Sequence, residues 1–459
     1  MTGGYYNSAE SLSWSILDRG GHEGRKNCSS LWSGLNMLDG SVKPMDYCGS
    51  SPAAPDDSGI TSGAGSSRAG IAGLASPEHL RLWAADASRQ QRTPGSYEWW
   101  YFDAVDAAGN GAVICLFDGF CFHPRYLAEV RRYHRRMRAH DLSAIREEVL
   151  ASHYPAAYVS AYQGGRCVAR FVNMYPPDSF RGSTDSPELQ VGPNRVTLRH
   201  DNSLGIVARG YPTHRTAGGV QHRRDHCILV DFNFSPTFKG VEHIGPFRPD
   251  GADGAHHMWV ISTPHAKVTG RVQHVDQRNG VTIFDIPINA IGYHDHNFGG
   301  SGIARDIKRI TRGRALGNDY SIVWNHVLTA ENLPATTNSL IFFQSTAEPI
   351  VIMNPKTEVR QSRISPSLVR YPTMLIMHGS DTHGNSAELV VTLRNLMENT
   401  PYSVRATCSA ELRILGRRQV RAEGIMETSS VHSLNWPILS DAAFRTIRPI
   451  DRDDPLWRQ

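Results

Sequence analysis

From Ser96 onward, apolar and polar positions alternate with a period of two, the pattern of antiparallel strands that bury one face. Within Cys227 to Phe234, for example, Ile228, Val230, Phe232 and Phe234 fall on one side. Tyr158 to Gln163 and Arg166 to Asn173 flank Gly164-Gly165, a pair suited to the positive φ angles of a tight hairpin. Ile322 to Leu328, Leu340 to Gln344 and Leu389 to Leu393 are further short runs, punctuated by Asn279-Gly280, Gly384-Asn385 and Gly416. Many short strands at this spacing predict a mainly β chain of antiparallel barrel-like units, and a barrel mouth commonly holds an apolar ligand. The length of 459 residues exceeds one ordinary core and accommodates two such units. Gly300 to Asp319 lacks clear alternation, which sets the boundary between a unit at 78–305 and another at 306–459.

Two segments depart from this pattern. Residues 1–77 are rich in Gly, Ser, Asp and Asn, so they bury too little apolar surface to offset their ordering entropy and read as a disordered leader. Arg125 to Leu150 reads as one helical insertion. Leu127, Val130, His134, Met137, Leu142, Ile145 and Val149 form its stripe, and Arg131, Arg132, Arg135, Arg136 and Arg138 lie opposite. Such a helix either packs on the barrel with a solvated arginine face or rests peripherally on an anionic membrane.

Composition narrows the class. With 40% hydrophobic and 20% charged residues the chain is ordinary for a soluble protein, and no run approaches the roughly 20 apolar residues of a spanning helix. Met1 to Trp14 lack a basic start and an apolar run, which reads as a cytoplasmic address, with peripheral membrane association through the basic helix as the variant. A net charge of +4 without a binding module argues against a nucleic-acid partner. Seven scattered cysteines without a CxxC pair read as reduced, packed thiols.

Three clusters carry candidate chemistry. Tyr97-Glu98-Trp99-Trp100-Tyr101-Phe102-Asp103 holds five aromatics in seven residues, so both faces of that strand are aromatic. One face then meets the core and the other a cavity or a second layer. His256-His257-Met258-Trp259 opens another strand, with His257 and Trp259 on one side. In Tyr293-His294-Asp295-His296-Asn297, alternation groups Tyr293, Asp295 and Asn297 and turns His294 and His296 the other way. These groups allow three readings: a metal site on the histidines, a structural polar network, or an acid at Asp295 in an apolar pocket with Tyr293, His257 and Trp259 around it. The histidines lack a recognised ligand spacing, so no metal is expected.

Ser96 to Asp103 (SYEWWYFD) and Gly292 to Gly299 (GYHDHNFG) resemble the two signature blocks of the carotenoid 1,2-hydratase (hydroxyneurosporene synthase) family. Phe117 to Tyr126, Met258 to Gly270 and Gly424 to Pro437 are similar to its accompanying segments, so the resemblance spans about Ser96 to Pro437. It implies two lipocalin-like β-barrel units and hydration of an isolated carbon-carbon double bond in an apolar isoprenoid or polyene, with no cofactor. It also implies an active site of Asp295, Tyr293, His257 and Trp259, with Glu98, Trp99, Trp100, Tyr101, His294, His296 and Asn297 contacting the substrate. Phe298 stands where that family often has tryptophan, and the stretch between Trp259 and Tyr293 is long, with Gln273 to Ile283 reading as a polar loop. Related lipocalin-like enzymes include cyclases. Cyclisation or isomerisation in the same pocket, and non-catalytic lipid binding, therefore stand beside hydration.

Overall fold

The protein is described by a computed structural model that covers residues 77–90, 92–141, 143, 149–216, 219–244, 257–300, 303, 307–329, 338–416 and 419–457. The expected leader, apart from Pro77, and His256 lie outside these residues. The chain is mainly β, as its alternation predicts. The chain opens with helix α1 (Pro77–Asp86), β1 (Tyr97–Val105) and β2 (Gly111–Phe117), and helix α2 (Pro124–Arg138) follows. Next come β3 (Ala156–Gln163), β4 (Arg166–Met174), β5 (Phe180–Gly182), β6 (Leu189–Val191), β7 (Asn194–Leu198) and β8 (Leu204–Gly210). β9 (Thr213–Thr216) and β10 (Gly219–His222) form a small separate ribbon. β11 (His226–Pro236), β12 (Val241–Ile244), β13 (His257–Asp276) and β14 (Val281–Gly299) complete the first half.

The second half runs through β15 (Ile307–Leu316), β16 (Tyr320–Thr329), β17 (Ser339–Gln344), β18 (Ala347–Met353) and β19 (Lys356–Ile364). It continues with β20 (Arg370–Ser380), β21 (Ser386–Asn399), β22 (Ser403–Ile414) and β23 (Val420–Ser429). Helix α3 (Pro437–Phe444) and β24 (Ile447–Pro449) close the chain. The first large sheet has the order β24-β4-β3-β2-β1-β14-β13-β11-β8-β7-β6-β5, with β12 on β13, and the second runs β18-β17-β16-β15-β23-β22-β21-β20-β19. Among the described residues all strand pairs are antiparallel except β24 on β4, which brings the last strand back to the first sheet.

Each sheet curls round a filled interior. Trp100, Phe102, Phe171, Ile206, Phe232 and Val268, drawn from strands across the first sheet, share one cluster, and Trp324, Leu340, Leu375, Leu389 and Leu412 do the same in the second. A further cavity, lined by Trp83, Leu204, Phe238 and Thr263, adjoins the first of these clusters. A third cluster joins the two sheets through their other faces, with Tyr97, Trp99, Trp259 and Tyr293 from the first and Ile310, Val323, Ile341 and Ile425 from the second. The candidate site lies between the two sheets.

Several local expectations change. The polar stretch Gln273 to Ile283 is mostly strand, since β13 and β14 form one hairpin interrupted only at Gln277–Gly280, where Gly280 takes φ +70°. The supposed boundary Gly300 to Asp319 contains β15, whose Ile310, Arg312 and Arg314 alternate with Thr311, Gly313 and Ala315. Charge at inward positions hides this alternation. Gly313 is required there, because a Cβ would meet the Trp324 ring at 2.3 Å. Gly164-Gly165 does form the expected hairpin, with φ values of +58° and +75°. The basic helix ends at Arg138; Leu127 and Val130 of its stripe, with Tyr126, are buried against the protein, Arg132, Arg135 and Arg138 are exposed, and Leu142 and Ile145 lie outside the described residues.

Between the sheets, Arg314 Nε donates to Asp103 Oδ1 at 2.7 Å, and both residues are buried. Removing one partner of such a pair strands an uncompensated charge. Arg314→Met should lower unfolding free energy by about 3–5 kcal/mol in denaturant titrations. Adding Asp103→Asn should recover part of that loss.

Candidate active site

Strand register assembles the site. β1 lies between β2 and β14, with Trp99 opposite Asn297, Tyr101 opposite Asp295 and Asp103 opposite Tyr293. On the other side of β14, β13 sets His257 opposite Gly299 and Trp259 opposite Asn297. Directly opposed residues share a face, so His257, Trp259, Tyr293, Asp295, Asn297, Trp99 and Tyr101 all turn toward the second sheet.

The second sheet answers with one polar rank. Asn325 of β16 is opposite Arg312 of β15, Arg312 opposite Glu427 of β23, and Glu427 opposite Arg405 of β22. Arg405 binds Glu427 at 2.7 Å and Glu398 at 2.7 Å. Glu398 also accepts from the hydroxyls of Tyr158 at 2.7 Å and Tyr162 at 2.8 Å. Alternating charges along the rank partner one another, the condition under which buried ions persist.

Two cavities lie between these faces. The larger, with about 710 Å³ of empty space, is lined on one side by Trp99, Phe117, Phe120, Phe122 and Tyr402. Its other side carries Asn325, Arg312, Glu427, Ser403 and Arg405, with His257, Trp259 and Asn297 along the first sheet. A smaller chamber of about 280 Å³ holds Asp295, with Tyr101, Tyr293, Arg314 and Ile425. Trp259, Arg312 and Glu427 border both spaces and form the partition between them.

Asp295 is 1% exposed. Tyr293 Oη donates to its Oδ2 at 2.8 Å, and Asn297 Nδ2 donates to its Oδ1 at 2.7 Å. Arg312 Nη1 stands 3.6 Å from Oδ1, and its guanidinium lies 4.6 Å from the Tyr101 ring centre. Burial raises the Tyr293 phenol well above its usual range, and the neighbouring Asp295 adds to this, so Tyr293 stays a neutral donor. Glu427 behaves differently: burial works to raise its pKa, but Arg405 and Arg312, with further hydrogen bonds, bring it down to about 2. It is a fixed anion. His257 meets Tyr97 Oη through Nδ1 at 2.8 Å, and burial, helped by Arg312, lowers its pKa to about 3. The ring is neutral at ordinary pH.

Glu98, Trp100, His294 and His296, expected to touch substrate, sit on the opposite face, beneath α1. His294 Nε2 meets Asp86 Oδ2 at 2.9 Å, while its Nδ1 donates to the Tyr101 carbonyl at 2.9 Å. His296 Nε2 meets Glu98 Oε1 at 2.9 Å, and that carboxylate also accepts from the Arg89 amide at 2.6 Å. His294 stacks on Phe102 and His296 on Trp100, with ring centres 3.9 and 4.4 Å apart. These histidines each have their own carboxylate partner. Among the described residues, the group with metal-like spacing is Asp225, His226 and Asp276, whose carboxylates are already paired with Arg223 and Arg278.

No family model matches the chain. It is similar to a protein of known name: 26% identity over 347 residues relates it to a hydroxyneurosporene dehydrogenase of Chlorobaculum tepidum, covering 73% of this chain and 82% of that one. That name is a dehydrogenase, not a hydratase. Among solved structures, an AttH protein of Nitrosomonas europaea aligns with a TM-score of 0.48 and 11% identity, over 73% of this chain and 92% of its own. CghA bound to Sch210972 aligns at 0.44 and 11%, over 74% and 89%. Kievitone hydratase of Nectria haematococca aligns at 0.41 and 10%, over 74% and 90%.

Sequence reasoning missed Arg312, Glu427, Arg405 and Asn325, because no linear motif links four strands of another sheet. The usable signal was Arg312 and Arg314 two apart between apolar residues, which places both on one strand face. Asp86 was also missed. Burial alone would lower the His294 pKa, but Asp86, by charge and hydrogen bond, and the Tyr101 carbonyl together raise it. A histidine with a raised folded value contributes stability that is complete below its usual pKa of about 6.5 and lost as pH rises through the raised value. Unfolding free energy of the parent should therefore fall over that rise. Asp86→Asn should flatten the His294-dependent part of the curve and cost about 3 kcal/mol at its acidic side.

Proposed function

We propose that the protein hydrates a trisubstituted carbon-carbon double bond at the end of an isoprenoid, with Asp295 as the acid. The observation that carries this reading is a buried carboxyl group that lines a small chamber with Tyr101, Tyr293 and Trp259, a chamber that shares Trp259, Arg312 and Glu427 with a larger, partly aromatic cleft. The branched end of the substrate enters the chamber while the rest of it occupies the cleft.

Asp295 gives its proton to the less substituted alkene carbon, leaving a tertiary carbocation and an Asp295 carboxylate. In the protonated state the Tyr293 hydroxyl turns to accept from Asp295, and in the ionised state it donates back. Arg312 beside Oδ1 favours the carboxylate that forms during transfer, so it strengthens the acid in the transition state. Its positive charge would repel the carbocation if it stood alone. Glu427, ionised and bordering the chamber, offsets it, and the Trp259 ring adds an aromatic wall to the same chamber. Water then attacks the cation. The resulting oxonium is so acidic that His257, a weak base with a pKa near 3, suffices to accept its proton, and return of a proton to Asp295 restores the acid.

The similarity to a hydroxyneurosporene dehydrogenase supports an oxygenated isoprenoid pathway as the setting, while its name points to removal of hydrogen rather than addition of water. Product mass separates these outcomes: hydration adds one water, cyclisation adds nothing and dehydrogenation removes two hydrogens. Incubation with terminally unsaturated isoprenoids in heavy-oxygen water should yield a labelled tertiary alcohol. Asp295→Asn should reduce its formation by about 10²–10⁴-fold without loss of folding. Full activity in that variant would remove Asp295 from the acid role. Arg312→Met should lower kcat by about 10²-fold, more than it changes KM, because its effect grows during proton transfer.

A further inference from the structure

The cleft does not match a pure hydrocarbon. Beside its aromatic wall stand two buried polar atoms that no group among the described residues satisfies: the indole Nε1 of Trp259 and the amide Oδ1 of Asn325. Trp259 is 2% exposed and Asn325 3% exposed, and both line the cleft. Buried polar atoms in native proteins almost always have a partner, and an orphan calls for an explanation such as a ligand or an ordered water. Elsewhere in the same rank the polar groups are paired, as Arg405, Glu427 and Glu398 are.

We infer that the substrate is an oxygenated isoprenoid whose hydroxyl or carbonyl group is recognised by Trp259 and Asn325. This rests on the reading of the cleft as the substrate site. An indole N–H only donates, so it requires an oxygen acceptor. The Asn325 amide offers either its oxygen or, turned over, its nitrogen, so it pairs with a hydroxyl or a carbonyl. A hydroxyl oxygen can accept from Trp259 while its hydrogen goes to Asn325. A hydrocarbon brought against the two atoms returns no hydrogen bond. A site built to bond a substrate oxygen rejects the analogue lacking it for this reason. Asn325 and Trp259 then set specificity, and Asp295 acts at the other end of the same ligand.

The test uses two probes with the same chain, farnesol and farnesene, and measures their dissociation constants in the full-length Asp295→Asn protein, where turnover does not interfere. Farnesol should bind roughly tenfold or more tightly than farnesene, the scale expected for leaving a buried polar group unmet. Asn325→Leu added to that protein should erase most of the difference and leave farnesene binding nearly unchanged. Trp259→Phe, which removes the N–H and keeps an aromatic ring, gives a second reading if the leucine variant misfolds. Equal affinities for the two probes, an equal loss for both in the variants, or binding of neither would overturn the inference. An equal loss would also indicate that the two atoms hold only water. Failure of the hydration reading looks different: the alcohol preference persists, but the parent protein forms no heavy-oxygen product.

Discussion

The arrangement of the site depends on ionic contacts that cross from one sheet to the other. Arg314 reaches Asp103, Arg312 reaches Asp295, and Arg170 and Arg405 converge on Glu398 together with Tyr158 and Tyr162. Apolar packing alone would tolerate a slide of one sheet over the other, because it lacks direction. Charged hydrogen bonds between buried groups do not, since a shift leaves both partners desolvated and unpaired. They fix the registration of the two units, and that registration determines which second-sheet residues stand before Asp295.

The same constraint explains how far the sequence could be read. Alternation in β1 and β14 correctly separates Tyr293, Asp295 and Asn297 from His294 and His296, because a strand reverses its side chains at every step. It does not say which face meets a ligand. Both faces carry aromatic or histidine side chains, and on one of them Asp86 of α1 meets His294 and accepts from the Trp100 indole. The mainly β class was legible from many local runs. Arg312 was not, because its partner Asp295 lies on another sheet and its strand sets Arg312 and Arg314 at inward positions where a core strand usually carries aliphatic residues.

The two carboxylates bordering the inner chamber differ in what surrounds them. Glu427 accepts from Arg405 through Oε2 and from Ser403 and Ser429 through Oε1, and two guanidinium groups hold it as an anion. A proton placed there would have to displace these contacts. Asp295 meets one guanidinium at 3.6 Å and two neutral groups, and the hydroxyl among them can reverse its hydrogen bond. The two carboxylates, one from each sheet, therefore stand in different hydrogen-bonding environments, Glu427 held by charged donors and Asp295 mainly by neutral ones.

Partition between a small chamber and a larger cleft adds a geometric selection to this electrostatic one. Trp259 contributes its ring to both spaces, so a ligand that seats a branched end beside Asp295 must pass that ring and leave its remaining length against Trp99, Phe117 and Tyr402. The cleft opposite those rings is too polar to be neutral toward what lies in it: an alkyl chain over Arg405, Glu427 and Asn325 removes water from groups it cannot bond. The orientation that puts apolar length on the aromatic wall and oxygen on the polar rank is therefore favoured over the reverse. With an oxygen held in the cleft, the opposite end of a ligand would be the end that meets Asp295, the proposed acid.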